Sequence, residues 1–176
     1  MPDRTDILIR PAKKGDGPPI LILHRRAIHE TVQSHYSQDI LNAWGPPIAS
    51  PTNLARKGDD FDAKVERGQS LVVVAEIHGS IAGFGEIAPA DCHLVAVYVD
   101  PDFQRRGVGS AILKYLEQIA TDRSLPHLQM SASLPAIPFY LAHGYQIVEE
   151  GFHSLGAGKQ MACMKMCKQL SAVENK

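Results

Sequence analysis

The sequence predicts an α/β fold, a mixed sheet with helices on both faces. Three observations carry that expectation. Three β-prone runs follow one another almost without interruption between residues 71 and 99. An apolar period of three to four residues then marks a helix starting at Gly107. Strand-like and helix-like segments alternate from its end to Cys167.

In chain order, Ile7-Leu8-Ile9-Arg10-Pro11 is a short strand ended by proline. Gly15-Asp16-Gly17-Pro18-Pro19 is turn chemistry opening a helix that runs from about Pro19 to about Gln33. A second helix is expected from Ser37 to Trp44. Gly45-Pro46-Pro47 and Ser50-Pro51 then punctuate a loop, and Asp60 to Arg67 reads as a short third helix. Leu71 to Ile77 and Ile81 to Ile87 flank the turn His78-Gly79-Ser80 as an antiparallel hairpin. Leu94 to Val99 is apolar on both faces, the pattern of a fully covered strand in the middle of the sheet. In the next helix Val108, Ala111, Ile112, Tyr115, Leu116 and Ile119 share a face opposite Lys114, Glu117 and Gln118. Ser124-Leu125-Pro126 ends it. His127 to Ser131 is a strand, Pro135 to His143 a helix with Gly144 as its cap, and Tyr145 to Val148 and Met161 to Cys167 are the last strands.

A chain of 176 residues suits one domain over 1–176, with a polar tail from about 170. Lys plus Arg (18) balance Asp plus Glu (19), so no overall field favours nucleic acid or an anionic membrane. Neither a signal-peptide core nor a membrane-length apolar run is evident, and a cytoplasmic protein is expected. Cys92, Cys163 and Cys167 are too few for a disulfide framework and read as reduced thiols.

The chemistry concentrates between Tyr98 and Leu113. A strand gives way to a loop holding Arg105 and Arg106, then to Gly107 and Gly109 at a helix start. Free helix-terminal amides and the helix dipole favour an anion there, and the glycines let its phosphates approach the backbone. These residues read as a pyrophosphate cradle, with a flexible turn carrying solvated arginines as the alternative. The P-loop pattern fails, because Gly107 and Gly109 lack its spacing and Lys114 stands too far along the helix. Gly83-Phe84-Gly85-Glu86-Ile87-Ala88 fits the dinucleotide fingerprint formally, but Pro89 follows where a helix should open.

Gln104-Arg105-Arg106-Gly107-Val108-Gly109 resembles the acyl-CoA signature of the GNAT acetyltransferase superfamily, and Phe139-Tyr140-Leu141-Ala142-His143-Gly144-Tyr145 resembles its F-Y-x-x-x-G-F/Y element. Tyr36 to Trp44 also resembles a subset of bacterial-type members. The resemblance implies a mixed, mostly antiparallel central sheet and acetyl-CoA as cosubstrate. It further implies an N-acetyltransferase acting on a small-molecule or peptide amine by direct attack in a ternary complex. A non-catalytic acyl-CoA-binding module is the competing class. Many members dimerise, which makes a homodimer an expectation as well.

Carried over by position, the backbone of Val97, Tyr98 and Val99 would pair with the pantetheine arm, and an amide near Val97 could polarise the thioester carbonyl. The amides from Arg105 to Ser110 would hold the pyrophosphate. Ser133 stands where many members have an asparagine that contacts the arm, and a serine can still donate one hydrogen bond. Tyr140 matches the tyrosine beside the departing sulfur; packing beside Phe139 is the alternative. The attacking amine must be neutral, so a base is sought. His93, eleven residues before Gln104, stands where histone-modifying relatives carry a glutamate, and Glu86 acting through water is the second candidate. His24, His29 and His35 lack the spacing of a helical zinc motif, and no metal is expected. Trp44 and Tyr36 are candidates to line the amine pocket or simply to pack in the core.

Overall fold

In the computed structural model, which describes residues 6–171, the chain opens with β1 (Leu8–Pro11), α1 (Gly17–Thr31), α2 (Gln38–Trp44) and α3 (Pro51–Glu66). It continues through β2 (Leu71–Ile77), β3 (Ser80–Ala88), β4 (His93–Val99), α4 (Val108–Asp122), β5 (His127–Ser133), α5 (Ile137–Ala142), β6 (Gln146–Ser154) and β7 (Gln160–Gln169). Residues 172–176, the end of the expected polar tail, lie outside the described range. No described helix is long and apolar enough to cross a membrane.

The seven strands form one sheet in the order β1-β2-β3-β4-β5-β7-β6, antiparallel throughout except for β4 beside β5. The β2–β3 hairpin closes through His78 and Gly79, both left-handed (φ 51° and 78°), the conformation whose twist matches the flanking strands. Ile112, Leu113 and Leu116 of α4 are fully buried with Leu128 and Met166 on one face of the sheet. Their intimate fit depends on β3: a Cβ on Gly85 would stand 2.5 Å from Ile112 Cγ2 and 2.7 Å from Leu116 Cδ1. The Gly83-to-Ala88 run therefore serves helix–sheet packing, and only a single 3-10 turn, Pro89–Asp91, follows it instead of an α-helix. On the other face Ile20 and Leu23 of α1 meet Val72, Val74 and Phe84, while Ile28 and Leu41 join α1 to α2. Each such buried aliphatic side chain contributes roughly 1.5–3 kcal/mol by leaving water.

Two local expectations are corrected. Helix α3 begins at Pro51 rather than Asp60, because Ser50 is its cap: the Ser50 hydroxyl accepts from the Asn53 amide (3.1 Å) and Pro51 occupies the first turn. Strand β4 does lie in the middle of the sheet, but it is not fully covered. Ile87 pairs with Leu94 and Glu86 with Ala96, leaving Val95 as a bulge residue with 45% exposure. A bulge bends its strand and raises the local twist. Before the bulge, β4 and β5 share one register pair, His93 with Gln129, where the Gln129 amide donates to the Cys92 carbonyl (2.9 Å). From the bulge onward the β5-facing edge of β4 has no further ladder partner among the described residues, and the sheet is split there.

Candidate active site

The split in the sheet opens into two cavities. The larger, about 520 Å³, runs from the β4 edge across the start of α4. Val97, Tyr98 and Val99 form its strand wall; Gln104, Arg105 and Gly107 its loop; Val108, Gly109 and Ser110 the first turn of α4; and Ser133 and Tyr140 the opposite side. Sequence reasoning grouped these residues, and the fold brings them together. Arg106 does not line the cavity: its guanidinium lies 5.5 Å from the Phe103 ring centroid.

The loop is tightly wound. Arg105 (φ 59°) and Gly107 (φ 82°) both adopt left-handed backbone, which is costly for a side-chain-bearing residue and free for glycine. Its approach is anchored from below: Arg26 Nη1 donates to both carboxylate oxygens of Asp100 (2.9 and 2.7 Å), and Asp100 accepts the Asp102 amide (2.9 Å). Gln104 Nε2 donates to Thr31 Oγ1 (3.0 Å), tying the loop to α1. The first amides of α4 then face the cavity without helical partners. A Cβ on Gly109 would sit 3.4 Å from Phe139 Cε2 and 3.5 Å from Val99 Cγ2, in ordinary contact but inside the groove. Open backbone, helix dipole and Arg105 fit a pyrophosphate, and the unpartnered edge of β4 fits an amide-bearing arm.

The smaller cavity, about 90 Å³, lies between β4 and β5 and is lined by His93, Val95, Ser131, His153 and Met161 among others. It shares Trp44, Val97, Tyr98, Ser133, Ala136 and Tyr140 with the larger one, so the two meet beside Tyr140. Tyr140 is buried, which pushes its phenol well above the ordinary tyrosine value and keeps it protonated. His93 is held below the usual imidazole value by burial, then by His153 and Lys165, with Asp91 opposing. Glu86 lines neither cavity. It is buried on β3 and accepts from Lys64 Nζ of α3 at 2.6 Å.

Trp44 Nε1 donates to the Tyr98 hydroxyl (3.0 Å), and Tyr98 stacks on Phe84 and meets His24 edge-on at 4.6 Å. Tyr36 lines neither cavity; its hydroxyl donates to the Ala162 carbonyl (2.8 Å) and accepts the Leu134 amide (2.9 Å), clamping the segment after α1 to β7 and to the end of β5. His29 Nε2 donates to the Gly45 carbonyl (2.7 Å), and His35 pairs with Ser34. Sequence reasoning missed Ser131, His153, Met161 and the neighbouring Lys165, which no short motif marks and only strand pairing assembles.

A split α/β sheet with an anion cradle at the end of its broken edge suits an acyl-CoA. The model of the acetyltransferase (GNAT) family matches residues 34–145. An uncharacterised N-acetyltransferase of Escherichia coli K12, YafP, is 31% identical over 146 residues, covering 83% of this chain and 85% of its own. Among solved structures, a GCN5-related N-acetyltransferase from Rhodopseudomonas palustris superposes with a TM-score of 0.78 at 24% identity, over 93% of this chain and 95% of that one. The PaiA N-acetyltransferase of Thermoplasma acidophilum, solved with coenzyme A, gives 0.69 at 16% identity over 93% and 99%. The chain belongs to the acetyltransferase (GNAT) family, and is an acyltransferase with acetyl-CoA as cosubstrate.

Proposed function

We propose that this chain transfers the acetyl group of acetyl-CoA directly to a primary amine within a ternary complex. The observation that carries the reading is the meeting of the two cavities beside Tyr140. The larger accepts the pyrophosphate at the start of α4 and the pantetheine arm along β4, with Ser133 across from it. The smaller admits the amine.

In this reading the open edge of β4 near Val97 polarises the thioester carbonyl, a backbone donor being fixed before charge develops. His93 takes the amine's proton as the C–N bond forms, and Tyr140 gives a proton to the sulfur as the C–S bond breaks. His93 rather than Glu86 is the base, since His93 lines the amine cavity while Glu86 is committed to Lys64. Arg106 acts on the long-range field rather than by contact. The reaction takes place in one domain and in the cytoplasm.

Isothermal titration with acetyl-CoA, CoA and ATP tests the cradle, followed by thiol release against a panel of primary amines. Micromolar binding of the CoA species but not ATP, with thiol release that depends on an amine, is expected. Binding without release under any amine favours the non-catalytic acyl-CoA-binding module, and no CoA binding ends the reading.

A further inference from the structure

The smaller cavity has a distinctive electrostatic lining. Strand alternation puts His93 of β4, Gln129 and Ser131 of β5, Met161, Cys163 and Lys165 of β7, and Gly151 and His153 of β6 on one face of the sheet. Within this set Lys165 is part-buried, and its Nζ donates to Ser131 Oγ at 2.6 Å. Ser131 lines the cavity wall, so the ammonium stands directly behind that wall.

Lys165 has no carboxylate within ion-pair distance among the described residues. Glu149 is its register partner on β6, but the hydrogen bond of the lysine goes to Ser131 on β5. Its stem lies over Gly151, where an added Cβ would come within 3.0 Å of Lys165 Cε, and its head reaches Ser131. Glycine at 151 thus leaves room for this orientation. An ammonium has three donors and Ser131 uses one. Because Ser131 Oγ accepts from the lysine, its own proton is free to point into the cavity. The neighbouring imidazoles, His93 and His153, carry N–H donors and no negative charge. Asp91 is the carboxylate that acts on His93, and it does not line the cavity.

We propose that Ser131 and Lys165 form a carboxylate-binding subsite, and that the acceptor is a short primary amine carrying a carboxylate. This rests on the acyl-transfer reading above and names its substrate class. The carboxylate accepts from Ser131 Oγ–H, and the Lys165 ammonium behind that hydroxyl supplies the positive charge, while the amine at the other end of a short chain reaches the junction beside Tyr140. A cavity of about 90 Å³ suits such a chain and excludes a bulky polycation, whose charges would also face Lys165.

The test compares ω-amino acids of four or five carbons with their carboxamides. In these pairs the carboxylate is far enough from the amine that both amines have similar basicity, so the comparison isolates the charged end. Expected is a kcat/KM preference of about 10- to 100-fold for the acid, the range of one to two charge-assisted hydrogen bonds, appearing mainly in KM. Lys165→Met, which keeps the stem and removes the charge, should collapse that preference toward unity, and Lys165→Arg should keep most of it. Ser131→Ala should reduce it partially. Equal use of acid and amide by the native protein overturns the proposal, as does a preference for O-phosphoethanolamine over every carboxylate, or a Lys165→Met variant that retains the native preference. Titration with acetyl-CoA on the same samples separates the two levels: normal binding and amine-dependent turnover without acid preference sinks only the subsite, whereas absence of CoA binding sinks the acyl-transfer reading and the subsite with it.

Discussion

His143 and Ser110 are joined across the end of the larger cavity, with His143 Nε2 3.0 Å from Ser110 Oγ. The other ring nitrogen, Nδ1, donates to the Phe139 carbonyl at 2.7 Å, so in the neutral ring Nε2 is the acceptor and the serine the donor. The hydroxyl is therefore held at the first turn of α4, beside the free amides. With its one proton given to His143, the hydroxyl has none left for a phosphate, so Ser110→Ala should change CoA affinity by no more than about twofold. His143→Leu, which releases that proton toward the cradle, should strengthen CoA binding by about 2- to 5-fold. Titration calorimetry measures both; a large loss of affinity in Ser110→Ala would mean that the serine proton goes to the phosphate rather than to His143.

Tyr140 should matter to turnover rather than to affinity. A thiol leaves with little help, so Tyr140→Phe is expected to lower kcat by about 10²- to 10³-fold, within the range of general acid catalysis, while the CoA dissociation constant stays within about twofold. Burial holds the phenol protonated, so its ionisation should add no alkaline fall in rate below about pH 10. Equal losses of kcat and affinity would assign Tyr140 to packing.

His93 sets the acidic side of the profile. A base works unprotonated, and its value lies below the ordinary 6.5, so the rate corrected for the neutral fraction of the amine should be flat near neutrality and fall as the pH drops below about 6.5. His93→Gln should lower kcat/KM by about 10²-fold or more and remove that limb. A limb that survives the substitution places proton removal elsewhere, with Glu86 the next residue to replace.

What the sequence made legible was local. The β2–β3 hairpin, the apolar stripe of α4 and the Gln104-to-Gly109 loop each write their signal within a dozen residues, and the larger cavity follows from them. The acceptor side is different. His93, Ser131, His153 and Lys165 come from four strands and meet only because β7 inserts between β5 and β6, an ordering no local pattern encodes. Arg106 looked equivalent to Arg105, yet the left-handed turn at Arg105 and the Phe103 ring send it away from the groove. The early start of α3 had a readable signal in Ser50-Pro51, but the polar composition of the helix and Gly58 in its middle hid it.

Gly58 has a packing reason. α1 and α3 cross so closely that a Cβ on Gly58 would stand 2.5 Å from both Cδ and Cγ of Pro18, a rigid ring at the start of α1. The same crossing lets Asp62 accept the Gly15 and Gly17 amides (2.7 and 3.0 Å), satisfying the N-terminus of α1. Gly58→Ala gains helix propensity but forces the helices apart. A net loss of about 1–3 kcal/mol is expected in urea unfolding. A neutral or stabilising result would mean that the α1–α3 crossing adjusts without strain.

His24 gives stability its own pH dependence, separable from catalysis. It sits against Tyr98 and Phe84, and burial lowers its value from 6.5 to about 4, with Glu86 opposing the shift. Between those values the unfolded chain binds a proton that the folded chain does not. Stability is therefore full above about pH 6.5 and declines as the pH falls toward 4, by at most about 3 kcal/mol from this residue. The unfolding midpoint of the native protein should drop across that window, and His24→Phe, which fills the aromatic site without a titrating group, should show a shallower decline. Catalysis reports on His93 at the split edge of β4, whereas His24 sits on the opposite side of Tyr98, so the His93→Gln variant should lose only the contribution of His93 to the slope and retain that of His24. Parallel slopes in native and His24→Phe proteins would mean that His24 takes up its proton in the folded state as readily as in the unfolded one.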